Sequence, residues 1–219
     1  NTRFYSTSFA GTENPIVDDG GWLNGALNGI DWSDMQSTPG KAFGTQVGSI
    51  GADYDDSLIL RRGRWPPNQD VRGKFFLTSR SGWTGNHEIE MLLRGTVVGG
   101  NCKLIEVLFS TVAGTTYCQI MKWNGPIGHA FEDFTELAVN NAFAPLNDGD
   151  EVRGVIDGGF ITGYTRRGGG AWVKEIEYNM TNDATIYTSG APGYGHWVNG
   201  AGAASTYGIS EWSVTAWHD

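Results

Sequence analysis

Nowhere in the 219 residues is there an apolar run approaching the roughly 20 residues that a membrane-spanning helix needs, so helical insertion into a membrane is not expected. Charge is scarce: Asp, Glu, Lys and Arg make up 18% of the chain, against about 25% in an ordinary domain. What charge there is sums to −9. Basic residues are scattered, with Arg61, Arg62 and Arg64 the densest group. Nucleic-acid binding needs a basic stripe to meet phosphates, so a nucleic acid is not an expected partner. The four histidines, His87, His129, His196 and His218, have no metal-ligand spacing such as His-x-x-x-His, which speaks against a transition-metal site. No Ser-His-Asp order, phosphate loop or dinucleotide fingerprint stands out. No segment keeps a 3.6-residue apolar period over a dozen positions, so long amphipathic helices are not expected either.

Only two cysteines occur, Cys102 and Cys118. If residues 103–110 and 116–123 pair as a hairpin, Cys102 falls opposite the region of Asn124, and a bridge to Cys118 needs a shifted register. One bridge and two buried thiols both remain open. The opening Asn1, with no basic-then-apolar leader, is read as the mature end of a secreted precursor; a cloning boundary is the alternative.

What is abundant is glycine, with 33 residues, together with 12% aromatics. That combination is foreign to a disordered chain and suits short strands joined by tight turns. Turn signals recur about every ten residues: Asp19-Gly20-Gly21, Pro39-Gly40, Gly99-Gly100, Asn124-Gly125-Pro126, Asn147-Asp148-Gly149-Asp150, Gly158-Gly159 and Gly168-Gly169-Gly170. Between them, runs rich in β-branched and aromatic residues predict strands near 3–9, 42–48, 57–62, 71–79, 86–95, 102–110, 116–123, 130–138, 151–157, 159–165, 171–178 and 206–217. Residues 179–204, rich in Gly, Ala, Ser and Asn, read as a long loop. Even spacing of short strands without linker or repeat predicts one all-β domain over 1–219, a two-sheet sandwich or a barrel. A chain of this length can bury about 70% of the surface its unfolded form exposes, so its core needs no metal or disulfide.

Two strands are two-faced. In His87–Arg94, Ile89, Met91 and Leu93 share one side, while Glu88, Glu90, Leu92 and Arg94 share the other. In Tyr117–Trp123, Tyr117, Gln119, Met121 and Trp123 lie opposite Cys118, Ile120 and Lys122. Aromatic rings can stack on the apolar face of a pyranose, and amides and carboxylates can take its hydroxyls. Arg94, Tyr117, Gln119, Trp123, Trp197 and Trp83 are therefore the candidate sugar-contacting residues; for each tryptophan, an ordinary core position is the alternative. Glu88 and Glu90 are the candidate catalytic carboxyls, because residues i and i+2 stand about 6.5–7 Å apart along a strand and retaining glycosidases need carboxyl groups about 5–5.5 Å apart. The plainer possibility is a polar sheet face on which Arg94 neutralises both glutamates.

Several segments, in this order, resemble bacterial and phage domains of the concanavalin A-like lectin/glucanase superfamily, related to laminin-G-like modules. They are Tyr54-Asp55-Asp56-Ser57, Glu88-Ile89-Glu90 with Arg94, Gln119-Ile120 leading into Trp123-Asn124-Gly125, Asp148-Gly149-Asp150-Glu151-Val152-Arg153, Gly190-Ala191-Pro192-Gly193-Tyr194-Gly195, and the final strand through Trp212 and Trp217. The resemblance runs from about residue 50 to the end and implies an antiparallel jelly-roll sandwich. It implies three competing roles: an extracellular carbohydrate-binding module, a glycoside hydrolase using Glu88 and Glu90, or a self-assembling structural subunit of a phage or cell surface. Glucanases of this fold resemble Glu-x-Asp-x-x-Glu or Glu-x-Asp-x-Glu, and here no third acid arrives before Arg94. A polyuronate lyase of similar fold carries Gln-Ile-His, where this chain has Gln119-Ile120-Met121. Related sandwiches often hold a structural calcium, which the turn pairs Asp18/Asp19, Asp55/Asp56 or Asp148/Asp150 could supply with oxygens; ordinary turn chemistry is the alternative. No other cofactor is expected. The expected partner is a glycan or carbohydrate polymer.

Overall fold

The structure is a computed structural model that describes residues 1–26, 32–46, 56–98, 101–111, 116–125, 134–198 and 204–219. Among these there is no α-helix; fifteen strands form two antiparallel sheets, and a short 3-10 turn at Ala204–Thr206 leads into the last strand. The strands are β1 (Thr2–Thr7), β2 (Trp22–Asn24), β3 (Met35–Thr38), β4 (Lys41–Gly44), β5 (Ser57–Arg61), β6 (Asn68–Leu77), β7 (His87–Val98), β8 (Asn101–Ser110), β9 (Cys118–Asn124), β10 (Phe134–Asn140), β11 (Glu151–Asp157), β12 (Phe160–Arg166), β13 (Trp172–Asn179), β14 (Ala191–Val198) and β15 (Tyr207–Trp217). The eight-stranded sheet runs β13-β12-β11-β6-β15-β4-β3, with β1 also paired to β15; the seven-stranded sheet runs β10-β9-β8-β7-β14-β5-β2. The expected jelly-roll sandwich is thus the observed architecture, with no helix long and apolar enough to cross a membrane among the described residues.

The turn chemistry does what its residue types require. Asp157 pairs with Phe160 across the two-residue Gly158-Gly159 loop, where Gly158 takes φ +55°; tight hairpins need such positive-φ residues. Thr38 pairs with Lys41 across Pro39-Gly40, with Gly40 at φ +76°, matching the preference for Pro then Gly in a type II turn.

The core lies between the sheets. From the seven-stranded sheet come Ile89, Met91, Leu93, Ile105, Val107, Phe109, Cys118 and Ile120; from the other come Val71, Val152, Ile156, Ile161, Ile209, Trp212 and Val214, all buried. The period-2 alternation read for β7 and β9 therefore holds: their odd- and even-numbered side chains divide between core and outward face. Cys102 and Cys118 are both free and buried. Phe109 pairs with Cys118 and Lys103 with Asn124, so the hairpin register carries Cys102 past the far end of the partner strand, as its spacing suggested.

One expectation fails. Residues 179–204 hold not only a loop but β14, which lies inside the seven-stranded sheet between β7 and β5. Its glycines read as loop signals but are demanded by packing. A Cβ on Gly193 would lie 2.2 Å from the Ile59 carbonyl oxygen, and one on Gly195 would lie 1.9 Å from Oε2 of Glu90. Glycine inside a strand often marks such close approach.

Candidate functional site

The outward face of the seven-stranded sheet has two halves. One is apolar: Leu58, Leu60, Leu92, Leu104 and Trp123 pack beneath Trp32, whose ring meets that of Trp123 edge-on at 4.7 Å. The other opens as a cleft of about 380 Å³ whose lining includes Asp56, Glu88, Glu106, Leu108, Tyr117, Gln119, Met121, Trp123, Phe134, Glu136 and Trp197. Strand register explains the grouping. Trp197 pairs with Glu88 and Gly195 with Glu90; Leu108 pairs with both Glu90 and Gln119; Glu106 pairs with Met121. Even-numbered residues of β7, β8 and odd-numbered residues of β9 therefore come to one surface.

The carboxyls on this surface are unlike each other in surroundings. Glu88 accepts a hydrogen bond from the Tyr117 hydroxyl. Burial pushes its carboxyl up to about 8, assisted by the nearby Glu106 and opposed by the tyrosine bond. At neutral pH Glu88 is thus mainly the neutral acid. Glu106 accepts the Trp123 indole N–H at 2.7 Å, yet burial still holds its carboxyl above the ordinary range. Burial and the acids Glu106, Asp56 and Glu88 hold Glu90 well above the ordinary range. Burial and Glu88 likewise raise the Tyr117 phenol. At the outer rim the half-buried Gln119 donates to exposed Glu136 at 2.7 Å.

Of the residues singled out from sequence, Glu88, Tyr117, Gln119, Trp123 and Trp197 are brought together around the cleft. Glu90 is fully buried and is absent from the cleft lining, so it is poorly placed to attack a substrate beside Glu88. Trp83 lies elsewhere: its ring packs on His87 and Tyr207 at the end of the core, and its indole N–H bonds Thr206. Arg94 leaves the face that alternation assigned to it. A register shift between Leu93 and Thr96 and a φ of +50° at Arg94 break the period there. Its guanidinium instead donates to the Pro67 and Tyr187 carbonyls at 2.7 Å each, so it does not neutralise the glutamates. Replacing Arg94 with Ala is expected to lower stability by about 1–3 kcal/mol, from two carbonyls left without partners, without changing ligand affinity. Urea unfolding alongside a binding titration checks both halves.

The turn acids are mostly engaged. Asp18 accepts the Tyr5 hydroxyl and pairs with Arg61; Asp19 is exposed in the same turn. Asp148 accepts the Leu77 amide, while Asp150 accepts the Asn147 and Gly168 amides and meets Arg167. These are turn and strand-end caps. Asp55 lies outside the described residues, as do Tyr54 and His129. Asp56 alone among the described turn candidates joins the outward face, beside Glu90 and Glu106. Sequence reasoning missed Glu106 and Phe134. The available signal for Glu106 was a lone charge inside the apolar run Leu104-Ile105-Glu106-Val107-Leu108-Phe109 of a central strand.

No family model matches the sequence, and no curated protein matches it. Solved structures do match. Peanut lectin aligns with a TM-score of 0.59 at 11% identity, over 99% of this chain and 97% of that one. The carbohydrate binding module CBM66 from Bacillus subtilis aligns with a TM-score of 0.51 at 13% identity, over 90% of this chain and 92% of that one. The Ca2+/Man3GlcNAc-bound exoplasmic/lumenal domain of VIP36 aligns with a TM-score of 0.56 at 11% identity, over 88% of this chain and 83% of that one. The two-sheet jelly-roll sandwich is therefore a fold that this chain shares with these proteins. Identities this low carry the architecture and leave the chemistry to the side chains described above.

Proposed function

We propose that this chain is an extracellular lectin-like domain that holds a glycan in the cleft on its seven-stranded sheet. The observation that carries this is the cleft's lining: Tyr117, Phe134, Trp123 and Trp197 provide aromatic surface beside the planar polar groups of Gln119, Glu136 and Glu88, with no lysine, arginine or histidine lining it among the described residues. Rings for the apolar faces of a pyranose and acceptors for its hydroxyls suit a neutral sugar, whereas a polyuronate would bring its carboxylates towards Asp56, Glu106 and Glu136 with no cation in the described lining to offset them. The lectins and the binding module of like fold support the same reading at the level of architecture.

The test is a glycan array, followed by calorimetry on any hit. Gln119→Ala and Phe134→Ala, both at half-buried rim positions, are each expected to weaken binding about tenfold, the loss of about 1.4 kcal/mol of contact. Undiminished affinity in both variants would move the glycan away from this cleft. A reducing-end assay on the same hit separates binding from hydrolysis. Product that disappears in Glu88→Gln would make the domain an enzyme. No binding at all, with ordered oligomers on sizing, would favour a structural subunit instead.

A further inference from the structure

Four of the cations that lie scattered along the sequence are gathered on the outer face of the eight-stranded sheet. Alternation turns Arg72 and Lys74 of β6, Arg153 of β11 and Arg166 of β12 away from the core, since Val71, Val152, Ile156 and Ile161 of the same strands face into it. Strand pairing then aligns them. Arg153 stands opposite both Arg72 and Tyr164, Glu151 opposite both Lys74 and Arg166, and Arg166 opposite Trp172. A groove of about 600 Å³ borders the cluster, its lining including Ser6, Ser8, Ser213, Arg72, Lys74 and Glu211.

Like charges placed directly opposite each other on neighbouring strands are destabilising, and Arg72 and Arg153 are so placed. They share one carboxylate. Arg72 donates from Nε and Nη2 to Asp70 at 3.1 Å and 2.6 Å, and Arg153 does the same at 2.8 Å and 2.9 Å. Burial by itself would raise the Asp70 carboxyl, but the hydrogen bonds from both arginines carry it below the ordinary range. Asp70 is thus one negative charge facing two positive ones. The neighbouring cations have partners of their own: Arg166 meets Glu151, which also acts on Arg72, while Lys74 meets Glu211 and Lys174 meets Glu177. A positive surplus therefore sits at the Arg72–Arg153 pair, in a chain whose net charge is −9. Both arginines spend Nε and Nη2 on Asp70, which leaves their Nη1 ends for a further acceptor. Arg72 is exposed and Arg153 half-buried, so such an acceptor can reach them from solvent.

We infer that the Arg72–Arg153 pair, with Tyr164 and Trp172 beside it, is a second binding site, on the sheet opposite the cleft, for the carboxylate or sulfate group of an anionic polysaccharide. Guanidinium forks match the oxygens of such groups. Aromatic surface is at hand. The Arg153 guanidinium carbon lies 5.0 Å from the Tyr164 ring centre, and those of Arg72, Arg153 and Arg166 lie 5.8 Å, 5.8 Å and 5.2 Å from the centre of the Trp172 ring. Tyr164 and Trp172 are only half-buried, so part of each ring is open to a sugar, and the serine hydroxyls of the groove suit its hydroxyls. Charge spacing selects the polymer. Duplex nucleic acid carries a negative charge about every 1.7 Å and would press several of them against Glu151 and Glu211. A polysaccharide with sparser charge can seat one anionic group at the arginine pair and lay its neutral rings elsewhere. The cleft and its occupant have no part in this site.

The test measures binding of polygalacturonate, sodium κ-carrageenan and neutral dextran to the intact chain by biolayer interferometry at low salt and pH 7. Polygalacturonate offers carboxylates and carrageenan sulfate esters, so the polymer that binds names the group. Binding of at least one of them, with none of dextran, is expected. Arg72→Gln and Arg153→Gln should each weaken it about tenfold, the loss of one charge-assisted contact. Either variant leaves Asp70 its other arginine, so the fold should hold, which a melting curve checks. Lys103→Gln removes the same charge from an exposed position on the other sheet and should change nothing, as should Gln119→Ala at the rim of the cleft. Failure of both anionic polymers to bind would overturn the site. So would equal weakening in Lys103→Gln, which would reduce the effect to diffuse attraction, or a loss confined to Gln119→Ala, which would move the polymer to the cleft. A single-stranded oligonucleotide that outcompetes both polymers would also defeat the proposal. Each of these failures leaves the cleft's own glycan titration, and the lectin reading that depends on it, to stand or fall separately.

Discussion

Gly193→Ala is expected to lose about 3 kcal/mol of stability, at the upper end of ordinary overpacking costs. The added methyl would stand 2.2 Å from the Ile59 carbonyl oxygen and 2.7 Å from Leu60. The oxygen belongs to the backbone of β5, paired with β14, so it cannot swing aside as a side-chain end could. Relief requires pushing β5 and β14 apart, in a sheet where Gly193 also pairs with Leu92 of β7 and its carbonyl faces the Trp212 indole N–H at 3.3 Å. Urea unfolding measures the loss; a change below about 1 kcal/mol would mean that the two strands are not this close. Gly195→Ala differs in kind. Its methyl meets the Glu90 carboxylate, a side-chain end, so the expected stability loss is smaller and the main consequence is displacement of Glu90 from the acidic cluster.

The second large effect is on the acid side of the stability curve. His196 and His87 flank the Tyr207 ring at the end of the core, with centroids 4.2 Å and 5.4 Å away. Both imidazoles are fully buried, and neither nitrogen of His196 has a hydrogen-bond partner among the described residues. The Nδ1 of His196 lies so close to Gly44 that a Cβ there would come within 2.7 Å of it, and Trp83, itself under Arg80, packs on His87. Burial, with His87 as a like charge, lowers His196 to about 3. An unfolded imidazole takes its proton near 6.5. As pH falls below that value the unfolded state gains protons that the folded state refuses, so stability present above 6.5 is lost progressively down to about 3. The loss attributable to His196 is on the order of 4 kcal/mol. His196→Phe keeps the stack on Tyr207 and removes the titration. The difference in stability between wild type and variant, measured from pH 7 to pH 4, should therefore shift steadily in favour of the variant. A difference that stays constant over that range would show that His196 is protonated inside the fold.

Much of the architecture was legible because turns and alternation are local. Pro39-Gly40 and Gly158-Gly159 announce their hairpins through φ preferences that depend on nothing distant. The alternation in Glu88–Leu93 and Tyr117–Trp123 separates core from outward face with a period of two, and it identified Glu88, Tyr117, Gln119 and Trp123 as a shared surface. It went wrong at Arg94, where a bulge of one residue reverses the side-chain direction, and at β14, where glycines look like turn residues until the partner strand is seen.

What residue order settled alone was the class of fold and which side of each regular strand meets the core between the sheets, since both follow from local backbone preference and the pleat; that the other side of the central strands is also buried was decided by tertiary packing. Only tertiary pairing decided that Glu106 and Asp56 join Glu90. The register of β8 against β7, and the passage of the chain into β5, are set by long-range packing. Electrostatic conflict among three buried acids exists only once those strands are side by side.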